Sequence, residues 1–378
     1  MKKREFLKSI LYAGGSCCLF GWNTARAAGG PAASEAKNLV GEREASHYSP
    51  TPRGVKCLIC PNECNLKDGE ISVCHNRIAR GDKLYTMAYG NPCAVHVDPV
   101  EKKPLLHFHP ESLAFSIATA GCNFACLNCQ NWEISQVSPT ETRNESASPE
   151  EIVAAAAREG CLSIAYTYSE PVTFFEYMRD TATVARDKGL KNIMVSNGYI
   201  NPKPLLELCR VIDAANIDLK SFDPDIHLKL TGGKVEPVLA TLKTMKERGI
   251  WLEITNLVVP SWTDDFEMIS KMVDWLAKEG FADVPLHFSR FQPLYKLTRL
   301  PPTPVATLTK AREIAVRAGL KYVYIGNVPG IGGQDTYCPS CKTLLVKRMG
   351  FAIQENHLSG GKCSKCGTPI PGRWGQET

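Results

Sequence analysis

The sequence contains sixteen cysteines, an unusual number for 378 residues, and eleven of them fall into three groups. The middle group is Cys122-x3-Cys126-x2-Cys129, in a short loop after a predicted strand. A structural tetrahedral metal site would need a fourth ligand. Three thiolates can instead hold three irons of a cubane and leave the fourth iron open to a non-protein ligand. The spacing therefore predicts a [4Fe–4S] cluster with an open iron; the alternative is a zinc loop that borrows His107 or His109.

A C-terminal group has the form Cys338-x2-Cys341-x21-Cys363-x2-Cys366. Each C-x2-C pair is followed by a turn whose amides can face the sulfurs, as in a zinc ribbon or a rubredoxin-like site. Zinc is the preferred ion at these four thiolates, and a single iron is the alternative.

An N-terminal group has the form Cys57-x2-Cys60-x3-Cys64-x9-Cys74. It also offers four metal ligands, but its spacing does not decide the metal. Zinc and an auxiliary iron–sulfur cluster both remain open. In an exported chain that left this site and the C-terminal one unfilled, the cysteines could oxidise to disulfides.

Strands alternate with amphipathic helices between the flanking cysteine groups, which predicts a parallel sheet covered by helices. The first helix is predicted to start at a Ser148 cap, with Glu151 three residues on, and to run through Arg158. Later helices are predicted at 171–188, 202–210, 237–248, 264–279 and 304–318. Six or seven such units are fewer than a closed eightfold barrel needs, so we predict an α/β fold with an incomplete, open barrel. Composition and motifs divide the chain into a leader (1–28), a flexible linker (29–50), a Cys-rich module (51–110), the α/β core (111–330) and a zinc-ribbon-like tail (331–378).

The loop GCNFACLNCQNW (121–132) resembles the cluster loop of the radical enzyme of the AmmeMemoRadiSam system, a family related to pyruvate formate-lyase activating enzymes. The resemblance continues through DPVEKKPL (98–105), YTYSEP (166–171), SNGY (196–199), NIDLK (216–220), PLHFSRF (285–291) and YIGNV (324–328). It covers roughly residues 55–378. It implies a partial (β/α)6-type radical S-adenosylmethionine (SAM) barrel, in which an electron from the cluster cleaves SAM to a 5′-deoxyadenosyl radical that abstracts hydrogen from a substrate.

The same resemblance implies which residues bind the cofactor. Relatives carry a Gly-Gly-Glu-Pro turn that receives the amino group of SAM, where this chain has Tyr168, Ser169 and Glu170 before Pro171. A carboxylate is a suitable acceptor for an ammonium group. Further candidates at the ends of later strands are Asn197, Asp218, Lys220 and His287. For each of them a rim salt bridge, a helix cap or another structural role is the alternative.

The N-terminus resembles a twin-arginine export signal, with Lys3-Arg4 in place of two arginines and a small-x-small cleavage site ending at Ala27. This leader predicts export to the periplasm, and an uncleaved leader predicts a cytoplasmic protein. Its apolar stretch is too short to span a bilayer stably, so we expect no membrane segment in the mature chain. The full chain has a formal net charge of +5, but the part that follows residue 28 contains 39 basic and 38 acidic residues. That balance gives no reason to expect a nucleic acid partner.

We therefore predict a radical SAM enzyme that takes electrons from a flavodoxin- or ferredoxin-type donor. Its substrate is open: a glycyl radical on a partner protein, a small molecule, or another protein. The alternative from a different class is a non-catalytic iron–sulfur or zinc protein that serves as an electron carrier or a scaffold.

Overall fold

The structure, a computed structural model, describes residues 40–375, so the leader predicted at 1–28 and residues 29–39 of the linker lie outside the described residues. The strands of the N-terminal module are β1 (Arg43–Glu44), β2 (Tyr48–Thr51), β3 (Gly54–Cys57), β4 (Asn65–Leu66), β5 (Arg77–Arg80) and β6 (Lys83–Thr86). They form two three-stranded antiparallel sheets, in the orders β2-β3-β4 and β1-β6-β5.

The flexible linker predicted for residues 29–50 differs from the structure over 40–50. Strand β1 pairs with β6, and strand β2 begins at Tyr48. Ala45 between them is buried, and its backbone N–H donates to the carbonyl of Leu84 at 2.8 Å. The Ala-, Gly- and Ser-rich composition of the segment gives no sign of this pairing, because the partner residues lie about 40 residues further along the chain.

A central sheet of eight strands in sequential order carries the core of the protein. The strands are β7 (Ala94–Pro99), β8 (Leu113–Ala118), β9 (Ser163–Tyr166), β10 (Lys191–Ser196), β11 (Ala214–Asp218), β12 (Trp251–Val258), β13 (Leu286–Arg290) and β14 (Val323–Gly326). Strand β7 is antiparallel to β8, and every later pair is parallel. The predicted parallel sheet is confirmed, with the antiparallel β7 added at one edge. Because β7 and β14 are both edge strands, the described sheet is not a closed barrel.

Helices connect these strands, and all of those described except the ones at 132–135 and 224–231 begin and end close to where the sequence predicts. They are α1 (Trp132–Ser135), α2 (Pro149–Arg158), α3 (Phe175–Asp187), α4 (Pro202–Leu208), α5 (Pro224–Thr231), α6 (Glu236–Glu247), α7 (Phe266–Lys278) and α8 (Val305–Arg317). Helix α2 shows why: Ser148 accepts from the backbone of Glu151, and the Glu151 side chain accepts from the backbone of Ser148. This reciprocal capping satisfies two backbone donors that a helix start leaves without partners.

The segment that precedes β8 covers one face of the sheet at the amino ends of the strands. Val100, Leu105 and Phe108 pack there against Ala165 of β9 and Ile193 of β10, together with Ala214 of β11. These three strand residues are paired across the sheet. Since this end of that face is filled, the space for a site lies toward the carboxyl ends of the strands, as is usual for α/β folds.

The C-terminal tail consists of short strands, which are β15 (Thr336–Tyr337), β16 (Leu344–Met349), β17 (Ala352–Asn356), β18 (Leu358–Ser359) and β19 (Lys362–Cys363). Two hydrogen bonds join it to the segment that precedes β8. The Arg348 side chain donates to the carbonyl of Leu106 at 2.8 Å, and the backbone N–H of Arg373 donates to the carbonyl of His107 at 2.7 Å. Among residues 40–375, no helix has the length and apolar character needed to cross a membrane.

Candidate active site

The three-cysteine loop, residues 119–131, follows the carboxyl end of strand β8. Two of its backbone N–H groups, those of Ala125 and Leu127, donate to the carbonyls of Thr231 and Leu230 at the end of helix α5, at 2.7 and 2.9 Å. The loop is therefore fixed by a helix that comes about one hundred residues later, rather than by its own sequence alone. Within the loop, the backbone N–H of Phe124 points to Cys122 Sγ at 3.4 Å.

The sulfurs of Cys122, Cys126 and Cys129 have the properties of ligands to an iron–sulfur cluster. Burial raises the pKa of Cys126 to about 12 and that of Cys122 well above its usual value, so both remain thiols unless a metal displaces the proton. Ligands to one tetrahedral ion lie about 3.8 Å apart, given Zn–S bonds near 2.3 Å. Among the described residues, these three sulfurs are not part of any group of three or more possible metal ligands whose ligand atoms all lie within 4.8 Å of one another. Wider spacing suits three irons of a cubane, and the donor set fits that group.

Glu170 joins the ends of strands β9 and β10. Its carboxylate accepts hydrogen bonds from Ser196 Oγ at 2.7 Å, from the backbone N–H of Asn197 at 2.8 Å and from that of Val172 at 3.0 Å. Burial raises the pKa of Glu170 to about 7, against the effect of these three donors. The residue before Ser169 is Tyr168, which has a left-handed φ of 65°, a conformation that glycine adopts without strain. A glycine at this position would carry no such strain.

Asn197 and Ser169 hold the three-cysteine loop against the strand ends. The Asn197 amide nitrogen donates to Asn123 Oδ1 at 2.8 Å and lies 3.9 Å from Cys122 Sγ. Ser169 Oγ donates to the carbonyl of Thr119 at 2.6 Å. The structure therefore brings these two predicted residues together with Glu170 and the loop.

Asp218 is the last residue of strand β11, and Lys220 follows two residues later. Lys220 Nζ donates to Asp218 Oδ2 at 2.8 Å. Burial by itself would lower the pKa of Lys220, but Asp218 and the sulfurs of Cys126 and Cys129 together raise it. A lysine cation held this close to the sulfurs offsets the negative charge of a thiolate-ligated cluster.

His287 is not brought to the cysteines in the same way. It is buried, and its Nε2 lies 2.6 Å from Glu253 Oε2. Glu253 also accepts the backbone N–H groups of Leu106 and His107, at 3.0 and 2.7 Å. The predicted cofactor residue His287 thus belongs to a buried pair that anchors the segment before β8. Sequence reasoning missed Glu253, because nothing in the EIT run marks it as a partner.

A second buried polar cluster was also missed. Lys103 is 1% exposed and donates to Asp98 Oδ2 at 2.6 Å, and the Tyr168 hydroxyl donates to the same carboxylate. Burial lowers the pKa of Lys103 to about 8. Burial would raise the pKa of Asp98, but its lysine and tyrosine partners hold it below its usual value. The cluster lies beside the Tyr168–Glu170 turn and gives that turn a rigid, charged support.

The C-terminal cysteine site, formed by Cys338, Cys341, Cys363 and Cys366, has single-ion geometry. All four ligand atoms lie within 4.8 Å of one another. Two of the sulfur pairs, Cys338–Cys366 and Cys341–Cys363, are separated by 3.6 and 3.7 Å. Those separations match the roughly 3.8 Å expected around one tetrahedral ion with 2.3 Å metal–sulfur bonds.

The chain is similar to a known protein family, to two proteins by sequence and to one solved structure. The Radical SAM superfamily model matches residues 116–276, a range that contains the three-cysteine loop. The uncharacterized protein MJ0808 of Methanocaldococcus jannaschii is 46% identical over 331 residues, 87% of this chain and 98% of the relative. Pyruvate formate-lyase 1-activating enzyme of Escherichia coli is 22% identical over 222 residues, 54% of this chain and 89% of that enzyme. A crystal structure of a radical SAM methyltransferase from Sphaerobacter thermophilus has a TM-score of 0.48 and 14% identity, covering 60% of this chain and 71% of that one.

Proposed function

We propose that this chain, which belongs to the radical SAM superfamily, is an enzyme that holds a [4Fe–4S] cluster at Cys122, Cys126 and Cys129 and cleaves SAM to start hydrogen-atom abstraction. The observation that carries the proposal is the three-cysteine loop itself. It presents one buried and two half-buried cysteines, which form no group with all ligand atoms within 4.8 Å, at the carboxyl edge of a parallel sheet.

When bound, the cluster and SAM supply one-electron cleavage of the sulfonium C–S bond and, through it, a 5′-deoxyadenosyl radical. The chain's own residues position these groups. Asn197 and Ser169 fix the loop, and Glu170 fixes Asn197 by accepting its backbone N–H. Lys220 places a cation beside the sulfurs of Cys126 and Cys129.

The polar residues at the strand ends are proposed to line the SAM site, which the incomplete barrel would surround. Asp218 and Lys220 form one pair at the end of β11, and Ser169, Glu170 and Asn197 form a second set at the ends of β9 and β10. We assign His287 a structural part in this arrangement, since its ring is committed to Glu253.

For the substrate we propose only a chemical class. The motifs that resemble the AmmeMemoRadiSam enzyme, and the similarity to an activating enzyme, favour a glycyl radical on a partner protein or the modification of a small molecule or protein. A flavodoxin- or ferredoxin-type protein is the proposed electron donor. We further propose zinc for the C-terminal cysteine site, because its sulfur spacing suits one tetrahedral ion.

The leader adds a proposal about location. Its twin-arginine-like pattern favours export of a chain already folded around its metals, whereas SAM and low-potential electrons are cytoplasmic supplies. Fractionation of the native protein distinguishes the two: cleavage after Ala27 with the mature chain in the periplasm supports export, and full-length cytoplasmic protein refutes it.

The decisive experiment is to reconstitute the protein anaerobically, add dithionite and SAM, and measure 5′-deoxyadenosine. We expect product from wild type and a loss of at least about 100-fold in Cys126→Ala, since even residues that only orient metal ligands cost 10–100-fold. Cys209→Ala, which removes a half-buried cysteine outside the three groups, is the matched control and should retain activity. No product from wild type with an intact cluster would leave the electron carrier or scaffold as the function.

A further inference from the structure

The N-terminal cysteine site, formed by Cys57, Cys60, Cys64 and Cys74, is a formed cluster of sulfurs. Cys57, Cys60 and Cys74 are buried, and Cys64 is half-buried. The backbone N–H of Cys57 donates to the carbonyl of Cys64 at 3.0 Å, which closes the loop that carries Cys60.

The spacing of these four sulfurs differs from that of the C-terminal cysteine site. In the C-terminal site all four sulfurs lie within 4.8 Å of one another, as one tetrahedral ion requires. Among residues 40–375, the N-terminal sulfurs form no such group. The three sulfurs of the three-cysteine loop form no such group either. Neither of these two sites therefore has the compact arrangement that the C-terminal site offers to one ion.

A buried arginine beside these sulfurs lacks a hydrogen-bond partner for one of its nitrogens. The guanidinium of Arg77 is 0% exposed and binds Glu176 through two hydrogen bonds of 3.0 and 2.9 Å. Its charge also acts on the sulfurs of Cys57 and Cys74, and its Nε–H has no partner. A buried donor without an acceptor costs about 1–3 kcal/mol. Metal binding would turn the four thiols into thiolates, which accept hydrogen bonds, and the inorganic sulfides of a cluster would add further acceptors.

The N-terminal site also touches the three-cysteine loop directly. A Cβ on Gly121, the residue before Cys122, would lie 2.4 Å from the backbone oxygen of Cys74. Asn76 donates to the carbonyl of Ala120 at 2.6 Å. On the other side of the loop, Asn62 donates to the carbonyl of Asn123 at 2.9 Å. The backbones that carry the two sets of cysteines are thus in contact on both sides of Cys122.

We propose that Cys57, Cys60, Cys64 and Cys74 hold a second [4Fe–4S] cluster, through which single electrons reach the cluster at the three-cysteine loop. One electron enters from a low-potential one-electron donor protein, which is oxidised, and the same electron leaves toward the three-cysteine loop. No atom or proton is transferred in either step. The destination of the electron rests on the proposed function, but the identity of the second cluster does not.

The test compares metal and sulfide contents of anaerobically reconstituted variants. Cys57→Ala/Cys60→Ala, which leaves two of the four ligands, should lose about four irons and about four sulfides relative to wild type, the content of one cubane. Cys338→Ala/Cys341→Ala, the matched change in the C-terminal cysteine site, should lose one metal ion and no sulfide. If the N-terminal double variant loses only a zinc ion and keeps all iron and sulfide, the proposal is overturned.

A measurement on wild type avoids any dependence on folding of the variant. After reduction, electron paramagnetic resonance should show two reduced clusters, of which SAM perturbs only one. A single cluster signal, together with about four irons per chain, would refute the second cluster while leaving 5′-deoxyadenosine formation, and so the proposed function, intact.

The electron path has its own test. Cys57→Ala/Cys60→Ala should make 5′-deoxyadenosine at near wild-type rates with dithionite, but at least about tenfold more slowly with a reduced ferredoxin or flavodoxin. Equal slowing with both reductants would contradict transfer through the N-terminal site. Loss of product in wild type with either reductant would instead count against the proposed function.

Discussion

The backbone N–H of Asn197 donates to Glu170 Oε2 at 2.8 Å, and the side chain of the same Asn197 lies 3.9 Å from Cys122 Sγ. Through this contact the end of strand β9 holds the end of β10, and β10 in turn holds the first cysteine of the loop. Glu170 therefore acts on the cysteines by positioning Asn197. A carboxylate with three chain donors is suited to that task because it is acceptor-only when ionised.

Glu170→Gln should reduce 5′-deoxyadenosine formation by about 10–100-fold, as expected for residues that orient metal ligands. The amide would present an N–H group to at least one of the donors that now face the carboxylate. Loss of that buried hydrogen bond should lower the free energy of unfolding by about 1–3 kcal/mol. Rates and urea unfolding midpoints measure the two effects. Glu267→Gln, an exposed change on helix α7, should alter neither; wild-type behaviour of Glu170→Gln would remove the positioning role.

Gly121→Ala should disrupt the contact between the three-cysteine loop and the N-terminal cysteine site. Gly121 has a φ of 94°, and its added Cβ would meet the Cys74 backbone oxygen at 2.4 Å and the Asn76 side chain at 2.7 Å. We expect lower iron incorporation and a loss of at least about 2 kcal/mol of stability, since strained backbone alone costs about 1–3 kcal/mol per residue.

Gly160→Ala is the matched control for that change. Gly160 has a φ of 65° but nothing lies within 4 Å of its added Cβ. It should lose about 1 kcal/mol through strain alone and keep its full iron content. Equal iron loss in both variants would show that the Gly121 effect comes from backbone strain and not from the contact with Cys74.

The sequence predicts those parts of this protein that are encoded locally. The cysteine spacings, the capping box of Ser148 and Glu151, and the alternation of strands and helices all depend on residues close together in the chain. Pairs that depend on sheet register were missed. His287 and Glu253 are 34 residues apart and meet only because β12 and β13 are neighbours, and Tyr168 is 70 residues from its partner Asp98.

His107 should make the attachment of the C-terminal tail sensitive to acid. Burial lowers the pKa of His107 to about 4. The neutral ring donates through Nδ1 to the Pro371 carbonyl at 2.7 Å and accepts at Nε2 from the Tyr324 hydroxyl at 2.5 Å. Because the folded pKa lies below the unfolded value of about 6.5, the unfolded state binds the proton first as pH falls. The stabilising contribution is present above pH 6.5 and is lost progressively toward pH 4, by about 3 kcal/mol in all.

Urea unfolding midpoints between pH 7 and pH 5 measure this loss. His107→Gln should remove the His107 component of the slope, so that wild type and variant converge as the pH falls. His357→Gln, which replaces a half-exposed histidine of the tail, should keep the wild-type slope. A slope unchanged in His107→Gln would assign the acid sensitivity to other groups.

His287→Gln separates a structural role from a cofactor-binding one. Removal of the imidazole leaves the buried carboxylate of Glu253 without its closest partner, which should cost about 3–5 kcal/mol if the pair is charged. The double variant His287→Gln/Glu253→Gln should recover part of that loss, since it leaves no buried charge, and the double-mutant cycle measures the coupling. If the pair only anchors residues 106 and 107 of the segment before β8, the KM for SAM should stay close to wild type in every folded variant. A large rise in KM for SAM with little change in stability would instead show that His287 binds the cofactor, as the sequence predicts.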